Sequence, residues 1–490
     1  MDSPPIDLSP DEFRRLGHQI IDLLAEQLAG VREAPTRRVL PDEVRDRLLN
    51  TPLNDTPTSP DALIQQVKDD ILPYPLGNQS PRFFGWVNST PAPLGVLADL
   101  LAAAHDSPAV NSDIAAYFVE LAVIRWMRTL FRFPSTAGGL LTSGGTVANL
   151  LGLAAMRHMM SQGNMRRLGM TAEPARMVIY TSTQGHSCIQ KSAELLGFGD
   201  EHLRRIPVDS QYRMDVAALR QAVERDRSNG LRPVAVAANA GTVNSGAIDP
   251  LDAIADVCAD EALWLHVDGA YGGFGILSPE AAPLYKGIER ADSIAIDPHK
   301  WLYAPVEAGC VLVRDGDLLR STFGVAPSYL QHDSPYPWLS EFGIQQTRGF
   351  KALKVWMTLQ QVGLQGYRDL ISSDIAHAKA LQAKIQERPD FELVAAGPLS
   401  ITCFRYQPPG MMDEVTLDAV NRALLKRMNA SGKAFMTSTE LKGRFVLRAC
   451  IVNFRTTDAD LDALLDAAAE AGKAELERMK PADSTPPGTS

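Results

Sequence analysis

Four short apolar runs constrain the fold of this chain most strongly. They are RMVIYTS (176–182), PVAVAANAG (233–241), LWLHVDGA (263–270) and SIAIDPHK (293–300), and their apolar residues are nearly continuous. A strand with one face in solvent alternates apolar and polar residues, so these runs predict strands that are buried on both faces. Helix-like stretches such as VAALRQAVERDR and LDAIADVCADE lie between them. The alternation predicts an α/β fold with a mainly parallel central sheet.

The N-terminal segment has a different character. Residues 10–32 repeat apolar positions at helical spacing, with Ser9 as a suitable N-cap and Pro10 in the first turn. A Pro- and Thr-rich linker follows, and then a second helical pattern around residues 61–72. Apolar helix stripes need a surface to cover, and a second copy of the chain is a natural candidate. We therefore predict a dimer-forming helical arm over residues 1–85.

The remaining chain divides into two predicted domains and a tail. At 490 residues the sequence exceeds the ~250 to 300 residues that one hydrophobic core usually supports. We assign the apolar runs to a large domain, 86–375. After it the pattern changes to a long helix, strands near SITCFRY and RFVLRACIV, and a final helix, which predicts a small α+β domain over 376–480. Residues 481–490 are expected to form a tail.

Composition excludes several classes of function. The chain is 45% hydrophobic and 22% charged, as in ordinary globular proteins, and its net charge of -10 includes no basic block that would suit nucleic acid. Its five cysteines are odd in number and far apart, which argues against a disulfide framework or a zinc site. The first residues lack a signal-peptide pattern, and no apolar stretch approaches ~20 residues. We expect a cytoplasmic protein without a metal.

A Gly-Gly turn before a helix is the first candidate for chemistry. It lies in LTSGGTVANLLGLAAMR (141–157), where Ser143 and Thr146 flank the glycines. Amide groups at a helix N-terminus, together with these hydroxyls, can bind a phosphate. The stretch matches neither GxxxxGK[ST] nor GxGxxG. Taken alone, it fits an ordinary turn about as well as an anion site.

Two charged residues follow buried strands, at the edge where ligands collect in such sheets. Asp268 ends LWLHVDGA, and a buried carboxylate is costly unless it faces a cation, although a strand-end Asp is about as often a cap or turn residue. Lys300 ends SIAIDPHK, and a buried lysine is costly unless its pKa is lowered or it is covalently engaged. Pyridoxal 5'-phosphate (PLP) needs an anion site, an acidic partner for its ring nitrogen and an amine for its aldehyde. The three features together fit this cofactor.

A set of motifs carries a family resemblance over nearly the whole chain. TSGGTVAN, QGHSCIQKSAELLG, GTVNSGAIDP, HVDGAYGG and DPHKW, in this order, resemble the group II PLP-dependent amino acid decarboxylases. The aromatic-L-amino-acid branch is the most similar one, and the likeness extends to EFRRLGHQIIDLL, SPRFFGWV and FVLRACIVNFRTT. The resemblance implies a fold type I, aspartate aminotransferase-like enzyme that binds PLP, forms a homodimer and decarboxylates an aromatic L-amino acid.

The resemblance also implies roles for individual residues. Lys300 is the expected Schiff-base lysine, and Asp268 the expected partner of the protonated ring nitrogen. The other expected cofactor contacts are Ala270 and His186 on the two ring faces, Gly145 and Thr146 at the phosphate with Asp297 or His299 nearby, and Thr242 near the substrate carboxylate. For His299, a structural role that orients the lysine and phosphate stays open beside a catalytic one.

The proton donor departs from the family pattern. The family assigns this step to a tyrosine on a mobile loop, which corresponds to YLQHDSPYPWLSEFG (329–343) in this sequence. Counting back from RGFKALKVW puts Leu339 at the tyrosine position, and a three-residue shift would restore Tyr336. Relatives without that tyrosine can react with oxygen and give an aldehyde, so amine and aldehyde both stay open as products.

The substrate pocket is expected near Trp86 and Val87, where stacking on an indole favours an aromatic substrate. Trp86 is equally compatible with a plain core position. Thr347 favours phenylalanine, tyrosine or dopa over tryptophan by family likeness. A glutamate decarboxylase would need a cation for the distal carboxylate, and Arg82 is the only nearby candidate. A catalytically inactive binding protein on this fold is the alternative from another class, and the presence of Lys300 argues against it.

Overall fold

The computed structural model describes most of the chain. The described residues are 6–109, 114–170, 175–325, 336–410 and 413–479. The predicted tail, 481–490, and residues 329–335 of the loop that was expected to carry the proton donor lie outside these ranges. Within the described ranges, no helix is both long and apolar enough to cross a bilayer.

The N-terminal arm is helical. Its elements are α1 (Pro10–Ala29), α2 (Asp42–Leu49) and α3 (Pro60–Gln66), and a π-helical turn over Val67–Ile71 prolongs α3. Helix α1 begins as predicted, because the Ser9 side chain accepts a hydrogen bond from the Glu12 N–H and Pro10 occupies the first turn. Phe13 and Leu28 of α1 remain exposed, so part of its apolar stripe is uncovered in the single chain.

The predicted mainly parallel sheet is confirmed. Its seven strands lie in the order β2-β8-β7-β6-β5-β3-β4. They are β2 (Gly138–Thr142), β3 (Met177–Ser182), β4 (Leu203–Ile206), β5 (Arg232–Asn239), β6 (Trp264–Gly269), β7 (Ser293–Ile296) and β8 (Gly309–Val313). Only β8 runs antiparallel to its neighbours β2 and β7. The four apolar runs form β3, β5, β6 and β7, and every residue of β3, β6 and β7 is buried.

Helices cover both faces of this sheet. They are α4 (Pro93–His105), α5 (Ala115–Leu130), α6 (Gly145–Met160), α7 (Asn164–Leu168), α8 (Ser187–Leu195), α9 (Val216–Ser228), α10 (Leu251–Glu261), α11 (Pro298–Trp301) and α12 (Gly316–Phe323). The one-turn helix α11 corrects an expectation. Lys300 does not end strand β7 but lies in the helical turn after it, which Pro298 starts.

The C-terminal part forms a second sheet with its own helices. It contains α13 (Ala352–Glu387), β9 (Phe391–Ala396), β10 (Ile401–Tyr406), α14 (Glu414–Ser431), β11 (Phe435–Leu441), β12 (Arg444–Cys450) and α15 (Asp458–Met479). Its strand order is β1-β11-β12-β10-β9, where β1 is the short strand Phe83–Phe84. Helix α13, interrupted at Gly363, runs through the domain limit that was expected at 375, and the domain limits themselves remain predictions.

Strand register brings the polar strand ends to one edge. Asn239 of β5 lies beside Asp268 of β6, and Gly269 lies beside Ile296 of β7. Asp297 therefore follows β7 close to the point where Asp268 ends β6. Because β8 is antiparallel to both β2 and β7, β2 runs in the same direction as β7. The Gly-Gly turn after β2 consequently lies at the same edge of the sheet.

Candidate active site

A cavity of about 340 Å³ lies at this edge, within the size range of small-ligand sites. Its lining includes eight of the residues to which the sequence assigned cofactor contacts. They are Gly145, Thr146, His186, Asp268, Ala270, Asp297, His299 and Lys300. Ser143, which was expected at the phosphate, also lines it. Segments that are distant in sequence thus converge on one cavity.

The Gly-Gly turn is packed too tightly for a side chain. A Cβ atom on Gly145 would lie 2.8 Å from the Ala270 Cβ and 2.9 Å from Asp297 Oδ2. Helix α6 begins at Gly145, and the first amides of a helix have no intrahelical partner. The turn therefore presents backbone donors and a positive dipole end to the cavity, as an anion site requires.

Asp268 is a buried carboxylate that is held from two sides. Its Oδ1 accepts a hydrogen bond from the Ala270 N–H at 3.1 Å, and its Oδ2 accepts one from the Cys188 thiol at 3.6 Å. The residue is 7% exposed, and within the described ranges no cationic side chain forms an ion pair with it. A carboxylate in this state is suited to a cation that a ligand brings.

Lys300 has a carboxylate partner of its own. Its Nζ lies 3.1 Å from Asp297 Oδ2, and His299 Nε2 lies 3.6 Å from the same oxygen. Burial opposes the charged amine, but the carboxylates of Asp297 and Asp268 outweigh it and raise the pKa of Lys300. The sequence suggested a lowered pKa or a covalent bond as ways to accommodate this lysine, and the structure adds an ion pair.

The two histidines of the cavity each use Nδ1 as a hydrogen-bond acceptor, which is the arrangement of a neutral imidazole. Burial lowers the pKa of both His186 and His299. His186 Nδ1 accepts a hydrogen bond from the Cys188 N–H at 3.2 Å and caps helix α8, and His299 Nδ1 accepts one from the Ala308 N–H at 3.0 Å. Each neutral ring therefore carries its proton on Nε2, and that of His299 points toward Asp297. This geometry matches the orienting role that was considered for His299.

Three residues that were expected in the substrate pocket do not line this cavity. Trp86 is 45% exposed and packs on Phe83 and Phe435, so it is not a core residue. Val87 is buried in the hydrophobic core. Thr347 lines a second cavity together with Lys354. The cavity that contains Lys300 includes none of the three among its described lining residues.

Thr242 and Tyr336 also lie outside the lining that the described residues form. Thr242 is buried, and its hydroxyl bonds to the Ser245 hydroxyl at 3.0 Å. Tyr336 is 47% exposed and lies edge-on against Phe118, with 5.6 Å between the ring centroids. Leu339 is 2% exposed and belongs to the core, so the position counted for the family tyrosine holds a packed side chain.

The cavity contains residues that the sequence did not single out, among them Asn149, Cys188 and Asn239. Asn239 is the first polar residue of the apolar run PVAVAAN, which is a usable signal. Asn149 lies four residues after Gly145 and therefore on the same helix face. Cys188 follows His186 at a distance of two residues but resembles an ordinary buried cysteine in sequence.

The residues present fit PLP. The turn at Gly145 has no space for a Cβ atom and begins a helix at the cavity, and Asp268 forms no ion pair with a side chain of the described residues. Asp297 Oδ1 is buried without a hydrogen-bond partner in the described part of the chain, so the site has unused bonding capacity. Lys300 supplies an amine at the same cavity. Anion site, acidic partner and amine are the three features that this cofactor needs.

Comparison with known proteins decides the family. The model of the pyridoxal-dependent decarboxylase conserved domain matches residues 41–407. The chain belongs to the pyridoxal-dependent decarboxylases. It is 33% identical to the aromatic-L-amino-acid decarboxylase of Bacillus atrophaeus, over 94% of this chain and 95% of that protein. It is 30% identical to a phenylacetaldehyde synthase of a Rosa hybrid cultivar, over 91% of this chain and 90% of that one.

Solved structures agree with this assignment. The crystal structure of Oryza sativa TDC with PLP and tryptamine superposes with a TM-score of 0.88 at 28% identity, covering 96% of this chain and 99% of that one. The expected fold type I architecture and the PLP cofactor are thereby confirmed. This decarboxylase is a PLP-dependent carboxy-lyase.

Proposed function

We propose that this decarboxylase converts an aromatic L-amino acid into its amine and CO2, as a cytoplasmic homodimer. The convergence of Lys300, Asp268 and the Gly145 turn on one cavity carries the proposal. The 33% identity with an aromatic-L-amino-acid decarboxylase along nearly the full length supports the substrate class. Free, buried thiols at all five cysteines are consistent with a reducing compartment.

The residues of the cavity would hold the cofactor in distinct ways. Lys300 would bind its aldehyde, and Asp268 would hold a proton at its ring nitrogen. His186 and Ala270 would lie against the two ring faces, and the Gly145 turn would bind the phosphate together with Thr146. PLP supplies an electron-withdrawing ring that accepts the electron pair left when the carboxylate departs as CO2.

Asp297 and His299 would control the position and the protonation of Lys300. Asp297 pairs with Lys300 and raises its pKa, so the amine is protonated when it is free. His299 Nε2 lies 3.6 Å from the same Asp297 oxygen that pairs with Lys300. Asp297 is 1% exposed and Asp268 7% exposed. Burial of these two carboxylates strengthens their charge interactions.

Tyr336 would donate the proton to the substrate carbon. In its own chain it lies against Phe118, outside the cavity of Lys300, so we assign it to the cavity of a second copy. Exposed apolar residues support an interface of this kind. Leu100 and Leu101 of helix α4 are each 54% exposed, and Phe13 is 63% exposed. Mass measurement in solution should give two chains, and an active monomer would contradict this assignment.

Recognition of the substrate side chain would involve Trp86 and Thr347 across the same interface, whereas Val87 is buried in the core of its own chain and is not available for it. Thr347 lines a cavity of its own chain that lies apart from Lys300, as the interface role requires. Arg82, the cation considered for the glutamate alternative, donates from its guanidinium to the Arg32 carbonyl at 3.0 Å and is not among the described residues that line the Lys300 cavity. Phenylalanine, tyrosine or dopa is the preferred substrate group, ahead of tryptophan.

Aldehyde formation is the second candidate, because Leu339 is a core residue at the position counted for the family tyrosine. The similar phenylacetaldehyde synthase belongs to the same family. Amine and CO2 in equal amounts without oxygen uptake support the leading proposal. Aldehyde, peroxide and oxygen uptake in place of amine would establish the alternative.

An amine-release screen over the twenty common amino acids and dopa tests the substrate class. We expect phenylalanine, tyrosine or dopa to give the highest kcat/KM, and Lys300→Ala to give no product with any of them. Turnover restricted to glutamate or another aliphatic amino acid would refute the aromatic assignment. The Lys300→Ala control shows that any amine comes from this cavity.

A further inference from the structure

A chain of hydrogen bonds connects the sheet interior with the active site. The Trp264 Nε1–H donates to Ser293 Oγ at 2.8 Å, and Ser293 Oγ lies 2.7 Å from His266 Nδ1. His266 Nε2 lies 2.6 Å from Asn149 Oδ1. His266 and Asn149 are both completely buried. These bonds link strands β6 and β7 to helix α6 beneath the cavity.

The chain continues from Asn149 to the carboxylate. Asn149 Nδ2 donates to the Gly145 carbonyl at 2.8 Å and to Cys188 Sγ at 3.4 Å. The Cys188 thiol donates to Asp268 Oδ2 at 3.6 Å. One amide group therefore contacts both the turn of the expected phosphate site and the thiol that holds Asp268.

The donor and acceptor of each hydrogen bond follow from the two ends of the series, the Trp264 indole and the Asp268 carboxylate. An indole N–H can only donate, and a carboxylate can only accept. Asn149 uses its NH2 group on Gly145 and Cys188, so its oxygen must accept from His266 Nε2–H. His266 Nδ1 then accepts from the Ser293 hydroxyl. Burial lowers the pKa of His266 to about 4, and the neutral ring that results has one donor and one acceptor, as this direction requires.

Two further observations support this series of hydrogen bonds. A Cβ atom on Gly152 would lie 2.8 Å from His266 Cε1, so helix α6 has a glycine where the imidazole approaches. Burial raises the pKa of the Cys188 thiol, so the thiol keeps the proton that it donates. A thiol is a weak donor, and it fixes Oδ2 while leaving most of the carboxylate charge available to a ring nitrogen.

We propose that Cys188 and Asn149 are positioning residues that fix Asp268 relative to the phosphate-binding turn, so that both ends of PLP meet preset partners. Neither residue would take part in bond breaking. The proposal rests on the cofactor and not on the identity of the substrate. No family motif quoted for this chain assigns a role to the thiol or to the amide.

The first test measures PLP binding by apoenzyme variants, followed by fluorescence quenching during reconstitution. We expect Cys188→Ala to raise the dissociation constant about tenfold. This corresponds to the lower end of the free-energy range for a hydrogen bond to a charged group. Cys188→Ser retains a donor and should stay within about threefold of the wild type. Cys258→Ala removes a thiol of similar burial that takes no part in the described series of hydrogen bonds, and it should change binding less than twofold.

The second test is spectroscopic and separates positioning from general packing. Infrared difference spectra between wild type and Cys188→Ala isolate the S–H stretching band of Cys188. We expect a band shifted by hydrogen bonding in the apoenzyme, and a further shift when PLP binds, because Asp268 then shares its charge with the ring nitrogen.

The two tests also separate this proposal from the proposed reaction, since neither uses a substrate. A Cys188→Ala enzyme that binds PLP as tightly as the wild type would overturn the proposal. An S–H band at the frequency of a free thiol in the wild type would overturn it as well, and Cys188→Ser serves as the reference for the difference spectrum if Cys188→Ala fails to fold.

Discussion

Gly145→Ala tests how closely the turn before α6 must approach its neighbours. The added Cβ atom would lie 2.8 Å from the Ala270 Cβ, whereas carbon atoms in contact are normally ~3.5 to 4.0 Å apart. The turn must therefore move by roughly 1 Å, and overpacking of this kind costs about 1 to 3 kcal/mol of folding free energy. Loss of one or two charge-assisted bonds to the phosphate should weaken PLP binding about ten- to hundredfold.

The matched control is Gly17→Ala in helix α1, where a Cβ atom would meet nothing within 4 Å in the single chain, and mass measurement checks that the variant still forms the proposed dimer. This change should stabilise the chain by about 0.5 to 1 kcal/mol through helix propensity and leave PLP binding unchanged. Equilibrium titration of both apoenzymes with PLP, and denaturant unfolding of each, supply the measurements. If Gly145→Ala bound PLP within twofold of the wild type, the turn would not be the phosphate site and the assignment of Gly145 would fail.

Two buried charges lead to further predictions. Glu120→Gln leaves the buried Arg348 without its carboxylate partner, now 2.6 Å away, and should cost about 3 to 5 kcal/mol in denaturant unfolding. A loss below 1 kcal/mol, as for an exposed pair, would contradict this reasoning. Burial raises the pKa of Asp374 from 3.8 to about 7, so the folded state retains this proton more tightly than the unfolded chain and stability falls as the pH rises through that interval. Asp374→Asn keeps an acceptor for the Trp301 indole, so the variant should lose a few kcal/mol less stability than the wild type over this pH interval. Parallel curves of stability against pH for the two proteins would contradict the raised pKa of Asp374.

The central sheet was predictable because burial on both faces makes strands β5, β6 and β7 almost wholly apolar. Eight of the residues expected from the motifs line one cavity, whereas the other five, Thr242, Tyr336, Trp86, Val87 and Thr347, are not among its described lining residues. The helical turn at Lys300 was not predictable from periodicity, because Pro298–Trp301 is too short to show a helical repeat.

Other features depend on tertiary contacts that a sequence pattern does not contain. Asn149 ends the motif TSGGTVAN and His266 begins the motif HVDGAYGG, but neither motif indicates that the two residues bond across 117 positions of sequence. Tyr336 stands three residues before the position at which family likeness expects a tyrosine, and both it and Thr347 lie apart from Lys300 in their own chain. The order of motifs along a sequence does not indicate whether a side chain contributes to the cavity of its own chain or to that of a second copy.

Identification of the lysine that binds PLP tests the account most directly. The chain has a second buried lysine at a cavity, Lys354, which is 5% exposed, and burial lowers the pKa of its amine. Borohydride reduction of the PLP-loaded enzyme, followed by peptide mass mapping, distinguishes the two. We predict a phosphopyridoxyl group on the peptide that contains Lys300. A label on Lys354, or no label on either lysine, would contradict the assignment of the active site.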